Sequence, residues 1–460
     1  MVDAATLLRL GNSAVVAPAG HGKTELIALA AAQGRRSLVL THTHAGVHAI
    51  RARLRRMRVP AAKVAVDTIA GWSTRYAYAF PGIANPPDGD PKTSAEWDQL
   101  YRGATQALSV SAIREVVEAS YDRVWVDEYQ DCGSLQHELI RVIASIVPTT
   151  VVGDPVQGIF EFAGATLDWN RDIHPSFPLA GTLETPHRWT AKNPALGAWI
   201  AETRLRLLAG QPIDLHDPRV DVRDTDEVFD MGLLFDGMDA KSGSFAAIHC
   251  NKQLCYKIAR AANGGFQAIE EIAANGLMQF ARSWDGAASP AEKFKAIREL
   301  VDASFRLIER AEDDPDDPAD AAVRIAQKEA AAGLAIGNGA EAASRFMALA
   351  RARPSWKMYR GGMWRDAERA ASELAAERVD TMVAAAERIK QRASNVGRQL
   401  PARTISTPLL LKGLEFDHVV LPDATHFTRE RQAAAKLFYV AISRATQSLT
   451  IGSGSRYLQF

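Results

Sequence analysis

The stretch that decides the fold is Ala17-Pro18-Ala19-Gly20-His21-Gly22-Lys23-Thr24, which lies between an apolar strand pattern and a helical pattern. Residues 14–16 predict the strand and residues 25–33 predict the helix. A turn of small residues at this junction lets successive backbone N–H groups point at one phosphate. We expect Lys23 to reach the outer phosphates and the Thr24 hydroxyl to complete a Mg²⁺ shell. The stretch therefore predicts a nucleotide-binding loop in an α/β fold.

A second, acidic motif supplies carboxylates for Mg²⁺ and for a catalytic base, which a phosphate loop lacks. The leading glycine of the usual loop pattern is Ala17 here, and a short Gly-Lys-Thr run also occurs in ordinary loops. Residues 123–126 predict a buried strand that ends at Asp127 and Glu128. Carboxylates at the C-terminal end of a strand face the ligand crevice of open α/β sheets. We expect Asp127 to hold Mg²⁺ and Glu128 to deprotonate an attacking water, with a solvated acidic turn as the alternative.

Composition is typical of a protein with several soluble domains. The 460 residues contain 54 Lys and Arg against 54 Asp and Glu, so net charge argues neither for nor against nucleic acid. Cys132, Cys250 and Cys255 lack metal-ligand spacing, which predicts reduced thiols. Residues 1–9 lack the features of a signal peptide, and no apolar run is long enough to span a membrane. These observations predict a cytoplasmic protein.

Strand and helix patterns alternate through the first 180 residues, which predicts a parallel sheet covered by helices. The predicted strands of this half are residues 14–16, 37–40, 64–66, 123–126 and 149–152, with a loop over residues 80–98. A second such pattern starts near Leu183, pauses near Arg260 and resumes at Thr404. Between these two parts, residues 261–400 are rich in alanine and have helical periodicity, so they predict an all-helical insertion.

Four later motifs resemble, in order, those of superfamily 1 helicases of the UvrD/Rep/PcrA type. They are residues 151–160 (Gly-Asp-x-x-Gln), 183–188 (Leu-x-x-x-x-Arg), 406–416 (Lys-Gly-Leu-Glu-Phe) and 438–445 (Tyr-Val-Ala-x-Ser-Arg-Ala). The resemblance implies two RecA-like domains with ATP between them. We predict the first domain at residues 1–182, with a small insertion near residues 79–120. The second comprises residues 183–260 and 401–460, and the helical insertion of residues 261–400 interrupts it.

The resemblance also implies roles within the nucleotide site. Gln157 is implied to sense the γ-phosphate, and Arg188 and Arg444 to act as arginine fingers. Guanidinium forks suit phosphate oxygens on chemical grounds alone, although an ordinary salt bridge is the alternative for each arginine. Three further positions complete the predicted site: His187 in place of the family's base-stacking tyrosine, Gly413 near the γ-phosphate and Glu415 near the ribose. The glutamine that reads adenine in the family is missing from residues 1–16, which leaves the choice of base open.

The predicted nucleic-acid contacts depart further from the family pattern. Thr41-His42-Thr43-His44 stands where the family has Thr-Phe-Thr-Asn, and Thr68 opens a motif that has lost its aromatic residue. Phe162 stands for the tryptophan that stacks on the strand. Stacking contributes roughly 1–3 kcal/mol per base, so these changes predict a weakened grip on a single strand.

Two basic stretches favour a nucleic-acid partner. Residues 35–63 contain eight Lys or Arg, among them Arg51 and Arg55, and no Asp or Glu. This composition suits contact with a phosphate backbone, although a solvated helix face is the alternative. Aromatic and basic residues also interleave over residues 356–365, where a packing element of the insertion is the alternative.

The leading prediction is a Mg²⁺-dependent ATP hydrolase that translocates on single-stranded DNA. The small first insertion and the short chain also resemble the Gabija-type GajB proteins, which implies a partner nuclease and a role in anti-phage defence. Two alternatives stay open at this point. The chain could be a nucleotide-gated switch that regulates a partner enzyme without processive unwinding, or an RNA-directed ATPase.

Overall fold

The computed structural model describes residues 2–159, 167–225, 227–269, 273–307, 317–396, 401–430 and 433–460, with the backbone alone at 273–275 and 390–396. The chain separates into two compact units. Unit 1 comprises Met1–Asp214, Thr428–Gln447 and Tyr457–Phe460, and unit 2 comprises Leu215–Phe427 and Ser448–Arg456. The domain boundaries given above stay a prediction.

The secondary structure alternates as the sequence predicts. The helices are α1 (Ala4–Arg9), α2 (Lys23–Gln33), α3 (His44–Arg56), α4 (Ile69–Ala79), α5 (Pro81–Ala84), α6 (Ser94–Ala107), α7 (Ser111–Ser120), α8 (Ser134–Ala144), α9 (His187–Thr190), α10 (Pro194–Leu208), α11 (Met231–Phe235), α12 (Lys252–Ala261), α13 (Ala273–Asp285), α14 (Pro290–Ser304), α15 (Pro318–Ala332), α16 (Ala340–Ala352), α17 (Gly361–Ala375), α18 (Met382–Val396), α19 (Thr425–Thr428) and α20 (Ala434–Ile442). The strands are β1 (Ser13–Val16), β2 (Ser37–Thr41), β3 (Val64–Thr68), β4 (Arg123–Val126), β5 (Thr149–Gly153), β6 (Leu179–Thr182), β7 (Ile213–Asp214), β8 (Asp221–Asp224), β9 (Phe245–Ile248), β10 (Gln267–Ala268), β11 (Phe305–Leu307), β12 (Trp356–Met358), β13 (Arg403–Ser406), β14 (Phe416–Leu421), β15 (Ala445–Ser453) and β16 (Tyr457–Leu458). Short 3₁₀ or π turns lie at Tyr129–Asp131, Pro155–Gln157, Trp169–Ile173, Met238–Ala240 and Gly333–Ala335.

Unit 1 is built on a parallel sheet whose central strands are buried on both faces. Among the described residues the sheet has six strands in the order β3-β2-β4-β5-β1-β6. Its apolar runs, such as Leu38–Leu40 and Val124–Val126, have almost no solvent exposure. Continuous β-branched and leucine runs are typical of parallel strands that helices cover on both sides. The predicted α/β class is therefore confirmed.

The sheet order decides which loops meet at its carboxyl edge. β1 pairs with β5, and β5 pairs with β4, all in parallel. The loop after β1, the acidic turn after β4 and the Gly-Asp turn after β5 therefore emerge side by side. Residues distant in sequence, Lys23, Glu128 and Asp154, are brought to one edge by this order.

The small insertion of unit 1 contains more helix than the sequence indicates. The predicted loop over residues 80–98 includes α5 and the first residues of α6. Thr93 caps α6, because its side chain accepts a hydrogen bond from the Glu96 N–H while the Glu96 side chain accepts one from the Thr93 N–H. This capping box starts a helix directly after a segment rich in proline and aspartate. The loop prediction is therefore wrong at residues 81–84 and from residue 94 onward.

Unit 2 contains a second sheet and the long insertion. Its strand order is β10-β13-β9-β14-β15-β8 among the described residues, and the pairs β10–β13, β13–β9, β9–β14 and β15–β8 are parallel. The insertion is helical, with α13–α18 packed around a core that includes Trp284, Met347 and Trp364. A two-stranded antiparallel ladder of β11 and β12 interrupts the helices. No helix among the described residues is long and apolar enough to cross a membrane.

Candidate functional site

The phosphate loop is fixed to the sheet and depends on two glycines. The Ala17 N–H donates to the Gly153 carbonyl at 2.8 Å, which ties the start of the loop to the end of β5. Gly20 and Gly22 have φ angles of 72° and 83°, in the left-handed region that side chains disfavour. A Cβ at Gly20 would lie 2.7 Å from Arg188 Cβ, so the loop is also close-packed there. Gly22 then caps α2, whose first residue is Lys23.

Lys23 contacts both carboxylates of the acidic motif. Its Nζ lies 2.7 Å from Glu128 Oε2 and 3.6 Å from Asp127 Oδ1. Burial by itself would lower the pKa of Lys23, but the two carboxylates raise it above its ordinary value, so the lysine stays charged. Burial raises the pKa of Asp127, and the Lys23 charge opposes that rise. The structure thus brings the predicted phosphate-binding lysine and the predicted Mg²⁺ and base carboxylates into one cluster.

Gln130 is a contact that the sequence reasoning missed. Its side-chain N–H donates to Glu128 Oε2, and its Oε1 accepts from the Asp154 N–H at 2.9 Å. Glu128 itself has a φ of 55°, which is rare for a residue with a side chain and is held here by the neighbouring turn. Gln130 therefore links the orientation of Glu128 to the turn after β5. Its place two residues after Glu128 in the acidic motif was the available signal.

A buried ion pair organises the turn after β5. Asp154 is fully buried, and its Oδ1 accepts from Arg204 Nη2 at 2.8 Å and Nε at 3.2 Å. Its Oδ2 accepts from Gln157 Nε2 at 2.9 Å. Arg444 Nη2 donates to Gln157 Oε1 at 3.4 Å. The Asp154 carboxylate therefore holds the amide nitrogen of Gln157, while the predicted arginine finger Arg444 bonds the amide oxygen.

Arg204 and Tyr439 connect this turn to the phosphate loop. Arg204 bonds Asp154, and its charge also acts on the nearby Tyr439 hydroxyl. The Tyr439 hydroxyl accepts from the Ala19 N–H at 3.2 Å. Burial raises the pKa of Tyr439, so the hydroxyl keeps its proton. Arg204 lies in α10 outside every motif of the sequence, and no sequence signal indicates its role.

We call the connected side chains of this region the phosphate-loop cluster. Its members are Lys23, Asp127, Glu128, Gln130, Asp154, Gln157, Arg204, Tyr439 and Arg444. All of these residues belong to unit 1.

Arg188, the other predicted arginine finger, bonds the same residue as Arg444, which is Ser443. Arg188 Nη1 donates to the Ser443 carbonyl at 2.6 Å, and Arg444 Nη2 donates to the Ser443 hydroxyl at 2.8 Å. The Arg188 N–H donates to the Gly20 carbonyl at 3.0 Å, and Trp189 Nε1 donates to the Ala445 carbonyl at 2.6 Å. Both arginines belong to unit 1, as the phosphate loop does.

The residues at this site fit a magnesium nucleotide. Magnesium prefers oxygen ligands and is held at nucleotide sites by one or two protein oxygens together with phosphate oxygens. Thr24 in the first turn of α2 and Asp127 beside Lys23 offer a hydroxyl and a carboxylate of this kind. The buried His21 donates its Nδ1–H to the Ala19 carbonyl at 2.8 Å, and burial lowers its pKa, so it contributes no charge to the loop. Pro18 closes the first turn of the loop, since its carbonyl accepts from the His21 N–H.

The remaining predicted nucleotide contacts lie in different places. His187 is exposed, and a Cβ at Gly22 would lie 3.1 Å from its Cδ2, so the imidazole is beside the phosphate loop. Gly413 and Glu415 lie in unit 2, directly before β14, and Gly413 has a φ of 82°. Their roles at the phosphate and the ribose stay predictions.

The predicted nucleic-acid residues of unit 1 lie at the starts of helices. The Thr43 hydroxyl accepts from the Gly46 N–H at the start of α3, and the Thr68 hydroxyl accepts from the Gly71 N–H at the start of α4. Thr41 is buried at the end of β2. His42 Nε2 lies 3.3 Å from Cys132 Sγ, so its ring is already engaged. Thr43 and Thr68 therefore cap helices, and the contact of these four residues with a nucleic-acid strand remains a prediction.

The basic stretch of residues 35–63 includes α3. Two arginines of this helix bond other parts of unit 1, and two others extend into solvent. Arg51 Nη2 donates to the Val66 carbonyl at 2.6 Å, and Arg53 forms an ion pair with Glu25 of α2. Arg55 and Arg56 are exposed to solvent. Phe162, the predicted stacking residue, lies outside the described residues.

Comparisons with known proteins match both halves of the motif series. Residues 88–178 match the UvrD/REP helicase N-terminal domain, and residues 406–451 match the UvrD-like helicase C-terminal domain. The first match includes Glu128 and Gln157, and the second includes Arg444. These two segments are similar to the two domains of UvrD-like helicases.

Solved helicase structures share the arrangement only loosely. The arterivirus nonstructural protein 10 (helicase), solved in complex with DNA, aligns with 98% of this chain and 62% of its own at 11% identity and a TM-score of 0.35. The structure of the PRRSV helicase aligns with 98% of this chain and 54% of its own at 12% identity and a TM-score of 0.34. The chain thus spans less than two thirds of either viral protein. No curated protein matches it at a significant level.

Proposed function

We propose that this UvrD-like chain is an ATP-driven motor that tracks on single-stranded DNA. The observation that carries the proposal is the phosphate-loop cluster, in which one set of contacts joins Lys23, Glu128, Gln157 and Arg444. A hydrolysis site needs a cation at the outer phosphates, a base for the attacking water and a cation for the charge that develops on the transferred group. The cluster supplies a side chain for each task.

The side chains of the site have separate tasks in this proposal. Bound ATP would take Lys23 away from Glu128, because the phosphates offer the lysine a stronger partner. Glu128 would then be free to accept a proton from water, while Gln130 keeps its carboxylate oriented. Arg188 and Arg444 would stabilise the phosphoryl group as its charge develops. Mg²⁺, held by Thr24 and Asp127, would screen the phosphate charges.

A nucleotide-gated switch is the second candidate, and the bonds already made by the predicted nucleic-acid contacts favour it. His42 is bonded to Cys132, and Arg51 and Arg53 have partners within unit 1, which leaves fewer free contacts for a strand. In that case nucleotide binding would regulate a partner protein, such as a nuclease in an anti-phage defence complex. An RNA-directed ATPase would use the same cluster on a different strand.

ATPase rates without nucleic acid and with single-stranded DNA, duplex DNA or single-stranded RNA distinguish the candidates. The motor proposal predicts the largest stimulation by single-stranded DNA, and Lys23→Ala serves as the control that abolishes the rate under every condition. Stimulation by RNA alone would support the RNA-directed enzyme. A rate that no nucleic acid changes would reject the motor and support the switch. Hydrolysis that persists in Lys23→Ala would reject the site itself.

A further inference from the structure

The helical insertion contains a polar pocket rich in arginine. Its volume is about 380 Å³, within the range of roughly 300–1,000 Å³ that is typical of small-molecule sites. The residues that line it are Arg351 of α16, then Arg365, Glu368, Arg369, Ser372 and Glu373 of α17, Arg378, and Ile389 of α18. This pocket lies within unit 2 and contains none of the phosphate-loop residues.

The sequence places these side chains on one face of α17. Positions 365, 369 and 372 are spaced by four and three residues, so they follow each other along one side of the helix. The opposite side of α17 is apolar, and its Trp364 and Ala367 are fully buried in the core of the insertion. The aromatic and basic stretch of residues 356–365 thus divides into two parts. The packing interpretation is confirmed for its tryptophans, whereas Arg365 faces the pocket.

Several arginines of the pocket are held by acidic neighbours. Glu373 is buried and pairs with Arg378 of the lining, whose Nε lies at 3.1 Å, and with Arg388 outside the lining, whose Nη1 lies at 3.5 Å. Arg351 Nη1 lies 3.4 Å from Glu368 Oε2. These ion pairs fix the guanidinium groups, so little side-chain entropy would be lost when a ligand binds.

The arginines outnumber their acidic partners. Four arginines and two glutamates line the pocket, which leaves an excess of two positive charges. Arg369 has a partner outside the lining, since its Nη1 lies 3.6 Å from Asp366 Oδ1. Among the residues that the structure describes, Arg365 is half-buried and has no carboxylate within 4 Å. A half-buried guanidinium without an acidic partner keeps its N–H donors available to an anion from solution.

We propose that this pocket is a second anion site, which binds a small ligand through a terminal phosphate dianion. The excess of two charges equals the charge of a phosphate monoester. Guanidinium forks bind phosphate oxygens in pairs, and Arg365, Arg369 and Arg378 surround one space. The side chain of Ile389 offers the single apolar contact of the lining to the rest of the ligand. The proposal is independent of ATP hydrolysis at the phosphate loop.

The competing explanation is a cluster of surface salt bridges that only ties α16, α17 and α18 together. That explanation accounts for Arg351, Arg378 and Arg388, whose partners are internal. It gives Arg365 no task. The two explanations therefore differ in what they predict for an anion titrated into the full chain and for the loss of Arg365.

Calorimetric titration of inorganic pyrophosphate, without magnesium and at low salt, tests the proposal. The full chain carrying Lys23→Ala is used, so that the phosphate loop contributes little binding. We expect one pyrophosphate per chain, an affinity that falls with added salt, and a loss of about tenfold or more in Arg365→Ala. Inorganic phosphate and AMP in place of pyrophosphate distinguish a bare anion from a nucleotide as the preferred ligand.

Two matched variants interpret the titration. Arg298→Ala removes one exposed arginine of α14 that does not line the pocket, and it is expected to leave the affinity unchanged. Arg365→Lys keeps the charge without the fork and is expected to give an intermediate affinity, which also guards against misfolding of Arg365→Ala. No binding to the Lys23→Ala chain, or equal losses in Arg365→Ala and Arg298→Ala, would overturn the proposal.

Discussion

The phosphate-loop cluster and helix α3 are both rich in charge, yet they use it in opposite ways. In the cluster the charged groups are buried or half-buried and bonded to one another, as Arg204 is to Asp154 and Lys23 to Glu128. In α3, Arg55 and Arg56 extend into solvent, and Arg53 pairs with a single neighbour, Glu25. Buried charges interact strongly because little water screens them, whereas exposed charges are screened within about 10 Å at ordinary salt.

The difference teaches where single substitutions should matter. Removing one member of a buried network leaves another charge or polar group without its partner, so the loss is large and specific. Removing one exposed arginine slightly weakens the combined attraction of the helix for a phosphate backbone. The loss of affinity is therefore small and depends on salt. Four predictions test this contrast, from the largest expected effect to the smallest.

The largest effect is expected for the two arginines at Ser443. In Arg188→Ala and Arg444→Ala the turnover of ATP should fall by about 10³-fold or more, because arginine fingers contribute roughly 10³–10⁵. The affinity for ATP should change far less, since the contacts strengthen mainly as charge develops. Single-turnover rates and equilibrium nucleotide binding give the two numbers. An arginine whose loss weakens binding alone would be a ground-state clamp and not a finger.

Glu128→Gln is expected to lower turnover by about 10²–10⁴-fold, because an amide cannot accept the proton of the attacking water. ATP binding should be kept, since Lys23 loses its acidic partner in the free protein and no phosphate contact is removed. The measurement is turnover under saturating ATP beside a binding titration. Asp131→Asn, in the same motif but outside the Lys23 ion pairs, is the matched control. Wild-type turnover in Glu128→Gln would remove Glu128 from the role of base.

Arg204→Met is expected to destabilise unit 1 by about 3–5 kcal/mol, because Asp154 is then left buried without its cation. Urea unfolding of the variant and the wild type measures this loss. Combining Arg204→Met with Asp154→Leu removes the unpaired charge and should recover most of the stability. Turnover should be low in the double variant, because Gln157 then lacks the carboxylate that holds it. Recovery of both stability and turnover would show that the ion pair is only structural.

The smallest effects are expected on α3. Arg55→Ala and Arg56→Ala should each weaken single-stranded DNA binding modestly and reduce the slope of log affinity against log salt by roughly 0.7 per phosphate contact. Phe162→Ala should leave that slope unchanged and weaken the stimulation of hydrolysis by the strand, since stacking is not an ionic contact. Fluorescence anisotropy at several salt concentrations measures the slopes. An unchanged slope in both arginine variants would make this side of α3 an ordinary solvated face.

The sequence predicts the secondary structure of this chain better than it predicts the side-chain contacts. Residues 123–126 form β4 over the predicted bounds, because short continuous apolar runs are typical of strands buried between helices. The capped start of α6 at residue 94 was missed, since proline and aspartate in the preceding segment resemble a loop. The ladder of β11 and β12 was also missed, because two three-residue strands carry no periodicity of their own.

The predicted site residues were found by motif, and their partners were not. Lys23, Asp127 and Glu128 meet as expected, because the carboxyl ends of parallel strands share one edge. His42 bonds Cys132, which lies 90 positions later, and no local pattern could indicate that pairing. Arg204 is an arginine in helix α10, and arginines are mostly solvated.

The sequence by itself determined the α/β class, the phosphate loop and the acidic motif, since each depends on neighbours a few positions away. Glycines at 20 and 22 allow left-handed backbone, and an apolar strand before Asp127 fixes where the carboxylate emerges. Only the tertiary structure decided that Arg204 neutralises Asp154, that Tyr439 touches the phosphate loop and that Arg365 faces a pocket of arginines. Those contacts join residues far apart in the chain, and burial, which gives each one its strength, exists only after the chain has folded.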